Sequence, residues 1–159
     1  MSSNVDRPHA ALSDCEEVRP GFLGQPANAL SSLAFVAAAV PIWQVSRRPG
    51  RRAWALVAAA SAFEGIGSVL YHGPGTRSGK VVHDVGLVAL VAATAAVVAE
   101  DPRAARPTPI ATGLTVAAIA MHTLSRTGGP LCSCRSPIQG HAIFHLLAAA
   151  ATVAAAHHR

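Results

Sequence analysis

Residues 85–99 read VGLVALVAATAAVVA, and Thr94 is their one polar side chain. An amphipathic helix of a soluble protein shows a polar residue every three or four positions. This stretch does not, so its expected solvent is lipid. Working outward, the same character recurs in blocks over residues 26–46, 53–72, 81–99, 109–124 and 138–156. Most approach the ~20 residues needed to cross ~30 Å of hydrocarbon at 1.5 Å per residue, although the fourth is short. The connections, Arg47–Arg52, Gly73–Lys80, Glu100–Thr108 and Ser125–Pro137, are rich in Gly, Pro and Arg, as water-exposed turns are. The expected architecture is all-α: a polytopic transmembrane bundle of about five helices. Residues 26–159 form one membrane domain, and residues 1–25 an extramembrane N-terminal segment.

Composition agrees. Of 159 residues, 51% are hydrophobic and 13% charged, the latter about half the share in soluble domains. A net charge of +5 raises nucleic acid as a partner, but no aromatic–basic interleaving accompanies it. Instead Arg47, Arg48, Arg51 and Arg52 crowd one short gap between apolar blocks. That is the pattern of a cytoplasmic loop, and it places the N-terminus on the non-cytoplasmic side. The first 25 residues, with Asp6, Asp14, Glu16 and Glu17 and no apolar run, read as neither signal nor transit peptide. Richness in Ala and Arg suits a high-GC bacterial cell membrane.

Ionisable groups inside membrane spans are expensive and are functional candidates. Here they cluster. Ser68 and His72 end the second span, His83 and Asp84 open the third, and His141 and His145 begin the fifth. Counting spans puts all three ends on one side of the membrane, together with the N-terminus. A spacing of four turns a helix by about 400°, so each pair shares a face. His141 and His145 would grip one ion, and His72 would close a third position from another helix. Three neutral imidazoles with a fourth position open form a catalytic rather than a structural zinc site. Zinc lowers the pKa of its bound water towards ~7 and polarises carbonyl oxygens. Asp84 would serve that water as base or orienter, and Ser68 would donate to a developing oxyanion.

Plainer readings compete. Ser68 with Gly65 and Gly67 is also a helix-packing pattern, and Asp84 also suits a helix start. His83 reads as standing behind the ligands, and His122 as a structural hydrogen-bonding residue. Glu64, one turn before Ser68, belongs to a polar cavity with its role open. The competing functions are a haem protein, using paired histidines as axial ligands, and a receptor-like protein. In the latter, Asp84 would close the metal site as fourth ligand.

Gln25-Pro26-Ala27-Asn28 leading to Ser31-Ser32, then Gly67-Ser68-x-x-x-His72, Asp84 and His141-x-x-x-His145, resemble the alkaline ceramidases. That family belongs to a wider superfamily with the progestin and adiponectin receptors and the haemolysin III-like proteins. The resemblance implies a shortened, bacterial-type zinc amidase that cleaves the N-acyl bond of a sphingoid lipid. His72, His141 and His145 would be its zinc ligands, and Ser68 and Asp84 its assisting groups. The family has seven spans, and the missing pair would fall between the third and fifth blocks here. Asp84 lies one residue further from His72 than the family spacing implies, which makes His83 the alternative. The family's calcium site corresponds to Asp14, Glu16 and Glu17, but the tryptophan of its motif is missing, which counts against calcium. Cys15, Cys132 and Cys134 fall on the outer side, where disulfides persist. A bond from Cys15 to Cys132 or Cys134 would tether the N-terminal segment over the site.

Overall fold

The computed structural model describes residues 10–106 and 108–158. Residues 1–9 of the expected N-terminal segment, with Asp6, and the C-terminal Arg159 lie outside the described residues. The chain forms an all-α bundle: α1 (Pro26–Ser31), α2 (Leu33–Ser46), α3 (Trp54–His72), α4 (Arg77–Glu100), α5 (Pro109–Leu124) and α6 (Gly140–Ala156). Pro26–Ser46, Trp54–His72 and Arg77–Glu100 are long and apolar enough to cross a membrane, and α5 and α6 are shorter apolar helices. The protein is thus a multi-pass membrane helix bundle with at least three spans.

Its surface is inverted relative to a soluble fold. Val88, Val91, Ile110 and Val116 stand exposed, whereas Glu64, Ser68, His72 and His145 are fully buried. Lipid explains both halves. Apolar side chains face hydrocarbon without penalty, and polar groups retreat to the interior where they find partners.

The first span is broken at Ser32. Ser31 Oγ and Ser32 Oγ donate to the Asn28 carbonyl at 3.0 and 2.7 Å, a back-bonding that competes with the helix ladder and bends it. α1 packs on α6 and α3. The fourth helix begins earlier than hydropathy alone predicts, because Thr76 caps it by accepting from Gly79 N at 3.0 Å. His83 and Asp84 therefore sit in its second turn rather than at its opening.

In the bundle α3 packs between α2 and α4, and α6 packs on α2 and α5. A cleft of about 310 Å³ remains among α3, α4, α5 and α6, lined by Trp54, Thr94, Ala111, Ala118, Phe144 and Ala151 among others. The α3–α4 contact depends on Gly67. A Cβ added there would meet the His83 backbone N at 2.9 Å and Cα at 3.0 Å. Backbone cannot yield as a side-chain tip can. Gly67→Ala is expected to destabilise the bundle by about 1–3 kcal/mol, the usual range for overpacking, as read by denaturant unfolding in detergent micelles.

Candidate metal centre

His72 comes from the end of α3, and His141 and His145 from the first turns of α6. All three are buried, and one nitrogen from each lies within 4.8 Å of the others. Their ring centroids are 4.9, 5.3 and 4.5 Å apart. In a tetrahedral zinc site with ~2.0–2.1 Å bonds the nitrogens stand about 3.4 Å apart. The triad is compact enough to share one such ion.

The protein sets the tautomer of two rings. Gln25 Nε2 donates to the carbonyls of Ala11 and Glu16 at 2.9 and 3.0 Å. Carbonyls only accept, so the amide oxygen must be the atom facing His72 Nδ1 at 2.8 Å. His72 thus carries its proton on Nδ1, leaving Nε2 in the unprotonated form that a metal ligand requires. A parallel chain acts on His145. Ser31 spends its proton on the Asn28 carbonyl, so its oxygen accepts from His145 Nδ1 at 2.9 Å. Ser32 likewise donates to Asn28 and accepts from Ser68 Oγ at 2.8 Å. Holding one imidazole nitrogen this way is how proteins orient metal-binding histidines.

The third ring, His141, faces the N-terminal strap, residues 10–25. Its Nδ1 is 3.8 Å from Asp14 Oδ1, longer than a direct hydrogen bond, and this buried nitrogen has no hydrogen-bond partner among the described residues. Burial pushes the Asp14 carboxyl above its ordinary range, while Arg126 pulls it down. The strap turns at Cys15, whose φ of 63° is the left-handed region, sparsely populated by non-glycine residues. This turn lets Asp14 and Glu16 point in different directions.

Several residues singled out in the sequence lie apart from the triad. Asp84 does not join the cluster. Its carboxylate is half exposed and lies 2.6 Å from Lys80 Nζ, one turn earlier on α4. The cause is the register of α4: a step of one residue rotates a helical side chain by about 100°, and the inward position belongs to His83. His83 Nδ1 contacts Glu64 Oε1 at 2.6 Å, and its ring stacks on Tyr71 at 4.9 Å. Glu64 thus anchors α4 against α3 and packs on Gly86.

The acidic residues expected for calcium diverge. Glu16 caps α1 by accepting from Ala27 N and Asn28 N, both at 2.8 Å. Glu17 pairs with Arg135 at 3.3 Å, and Asp14 turns to His141. Among the described residues these three carboxylates do not gather into one ligand group. Of the two partners open to Cys15, Cys132 forms the bond, with Cα atoms 5.6 Å apart.

Sequence reasoning left Gln25 and Asp14 without their present roles, since both depend on how the strap folds back. Gln25 N bonds to His72 O at 3.0 Å and Ala10 N to Gly75 O at 3.0 Å, which lays the strap across the end of α3. His122 packs its ring on His141 and Phe144, with centroids 5.4 and 4.8 Å away.

The fit to a metal is good: three buried nitrogen donors, two with their tautomers set for ligation. Three sulfurs, Cys15, Cys132 and Cys134, form a second compact group, in which the first two are joined as the disulfide. Comparison of the chain with family models, with curated proteins and with solved structures finds no match. The functional reading therefore stands on this constellation: a buried histidine triad able to coordinate a metal in a membrane helix bundle, consistent with a metal-dependent membrane enzyme.

Proposed function

We propose that the protein is a zinc-dependent hydrolase of alkaline-ceramidase type, a five-span reduced form of that fold, which cleaves the amide bond of a ceramide-like lipid. The observation that carries this reading is the triad itself. Three protein ligands leave a coordination position for water or substrate, as catalytic zinc sites do. When bound, zinc supplies Lewis acidity, polarising a carbonyl oxygen and making water nucleophilic near neutral pH.

The chain's own residues do the remainder. His72, His141 and His145 would hold the ion. Gln25 and Ser31 keep two of the rings in register. Ser68, whose hydroxyl donates to Ser32 at rest, rotates to donate to the oxyanion that forms on the amide carbonyl. Asp14 takes over the acid–base duty that sequence alone assigned to Asp84. Its Oδ1 accepts a proton from the attacking water and passes it to the departing amine.

A lipid substrate is supported by Phe144. Its ring touches His141 and His145, with centroids 5.2 and 5.4 Å away, and it also lines the apolar cleft. An acyl chain lying in that cleft brings its carbonyl to the histidines. Haem is disfavoured by the same geometry. Axial ligands stand on opposite faces of a macrocycle, whereas these rings pack against one another.

Hydrolysis of a panel of N-acyl lipids by detergent-purified protein tests the reading. Ser68→Ala and Asp14→Asn should each lower turnover by about 10²–10³-fold, while Asp84→Asn leaves it nearly unchanged. Zinc-loaded wild type that cleaves no acyl amide, or a fall in Asp84→Asn equal to that in Asp14→Asn, would count against it. Gln25→Leu, which removes the acceptor at His72, should weaken zinc binding about 10–100-fold, and Gln25→Glu should restore much of it. A chelator competition titration reads both.

A further inference from the structure

Above the histidines, three sulfur atoms meet. Cys134 Sγ lies 3.7 Å from Cys15 Sγ and 3.7 Å from Cys132 Sγ. Cys15 is buried, Cys132 half-buried and Cys134 exposed, so solvent and small reductants reach the group from one side. In a tetrahedral zinc–thiolate site with bonds of ~2.3 Å, sulfurs stand about 3.8 Å apart. Both edges that involve Cys134 already have that length. The third edge is short only because Cys15 and Cys132 are covalently joined.

Backbone contacts hold the group together independently of that bond. Glu17 N donates to Cys134 O at 3.0 Å and Thr127 N to Ser13 O at 2.9 Å. Cys15 N donates to Thr127 Oγ1 at 3.1 Å. Opening the disulfide therefore leaves three thiols at one place rather than three loose ends.

We propose that Cys15, Cys132 and Cys134 form a second metal site, which takes a thiophilic divalent ion of the zinc class once the Cys15–Cys132 bond is reduced. A dithiol reductant gives two electrons and two protons to the disulfide and itself becomes a disulfide. The three cysteine thiols then bind the ion and release three protons to solvent. Solvent fills the fourth position. Ion and disulfide exclude each other, yet both clamp residue 15 to the 132–134 turn, so Asp14 stays beside His141 in either state. The proposal does not rest on hydrolase activity.

Cobalt(II), a spectroscopic stand-in for zinc, tests it on the full-length protein. The protein is reduced anaerobically with a phosphine, which carries no sulfur and so cannot itself give a thiolate band. Thiolate-to-cobalt charge transfer in the near ultraviolet requires sulfur ligands, so the histidine centre cannot produce it. Reduced wild type should develop this band and saturate stoichiometrically, and oxidised wild type should not. His141→Ala should give the same band as wild type, which separates the fate of this proposal from that of the histidine centre. Cys134→Ser, which keeps both bridge partners, should lose stoichiometric saturation. The proposal is overturned if reduced wild type shows no band, if Cys134→Ser matches wild type, or if reduction abolishes the helical circular dichroism. A Cys15–Cys134 bridge found by mass mapping, with no cobalt band, would overturn it too, making Cys134 an exchange partner only.

Discussion

Purified in detergent under oxidising conditions, the wild-type chain is expected to carry stoichiometric zinc, and the His141→Ala chain none above background. The three imidazoles converge from two helices, and among the described residues no fourth imidazole belongs to the group. His83, the nearest other imidazole on the α4 side, is engaged with Glu64. His122 is the discriminating control. It packs on the same ring of His141 but is not one of the three converging donors, so His122→Ala should retain the metal. Elemental analysis reads the content, and circular dichroism confirms that each variant remains helical. Zinc retained in His141→Ala at the wild-type level would place the ion elsewhere.

Loss of the Cys15–Cys132 bridge is expected to have the other large effect. The bond closes a loop with a sequence separation of 117. Cross-links across loops of that size contribute up to about 5 kcal/mol, with 2–4 kcal/mol typical. Cys15→Ala should lower the unfolding free energy by that amount. It should also weaken zinc binding about 10–100-fold, because the hydrogen bonds left to the strap hold Asp14 and Gln25 over the rings less tightly than they do together with the bond. Stability and affinity fall together here, unlike in Gly67→Ala, where the strap is untouched. Denaturant titration and chelator competition on the same preparations separate the two. A Cys15→Ala protein with unchanged zinc affinity would show that the strap holds its place without the bond.

The bundle and its three histidines were legible because they rest on local rules. Apolar run length reports a membrane helix, and a spacing of four reports a shared helical face, so His141 and His145 can be paired without knowing the fold. Asp84 was misplaced because Thr76 starts α4 before the apolar run does, and one residue of register decides which side chain faces α3. His83 won that position. Gln25 and Asp14 illustrate a different limit. Their roles arise from a strap with no periodic pattern, folded back by hydrogen bonds to Gly73 and Gly75 carbonyls and by one long-range covalent bond. The carboxylates of Glu16 and Glu17 looked equivalent in the sequence, but the α1 N-terminus claims one and Arg135 the other.

X-ray absorption at the zinc edge of the oxidised protein tests the central claim most directly. Three imidazole nitrogens at ~2.0–2.1 Å with one lighter, exchangeable oxygen donor are the expected shell. A shell containing sulfur, or one closed by four protein ligands, would contradict a catalytic centre built on His72, His141 and His145.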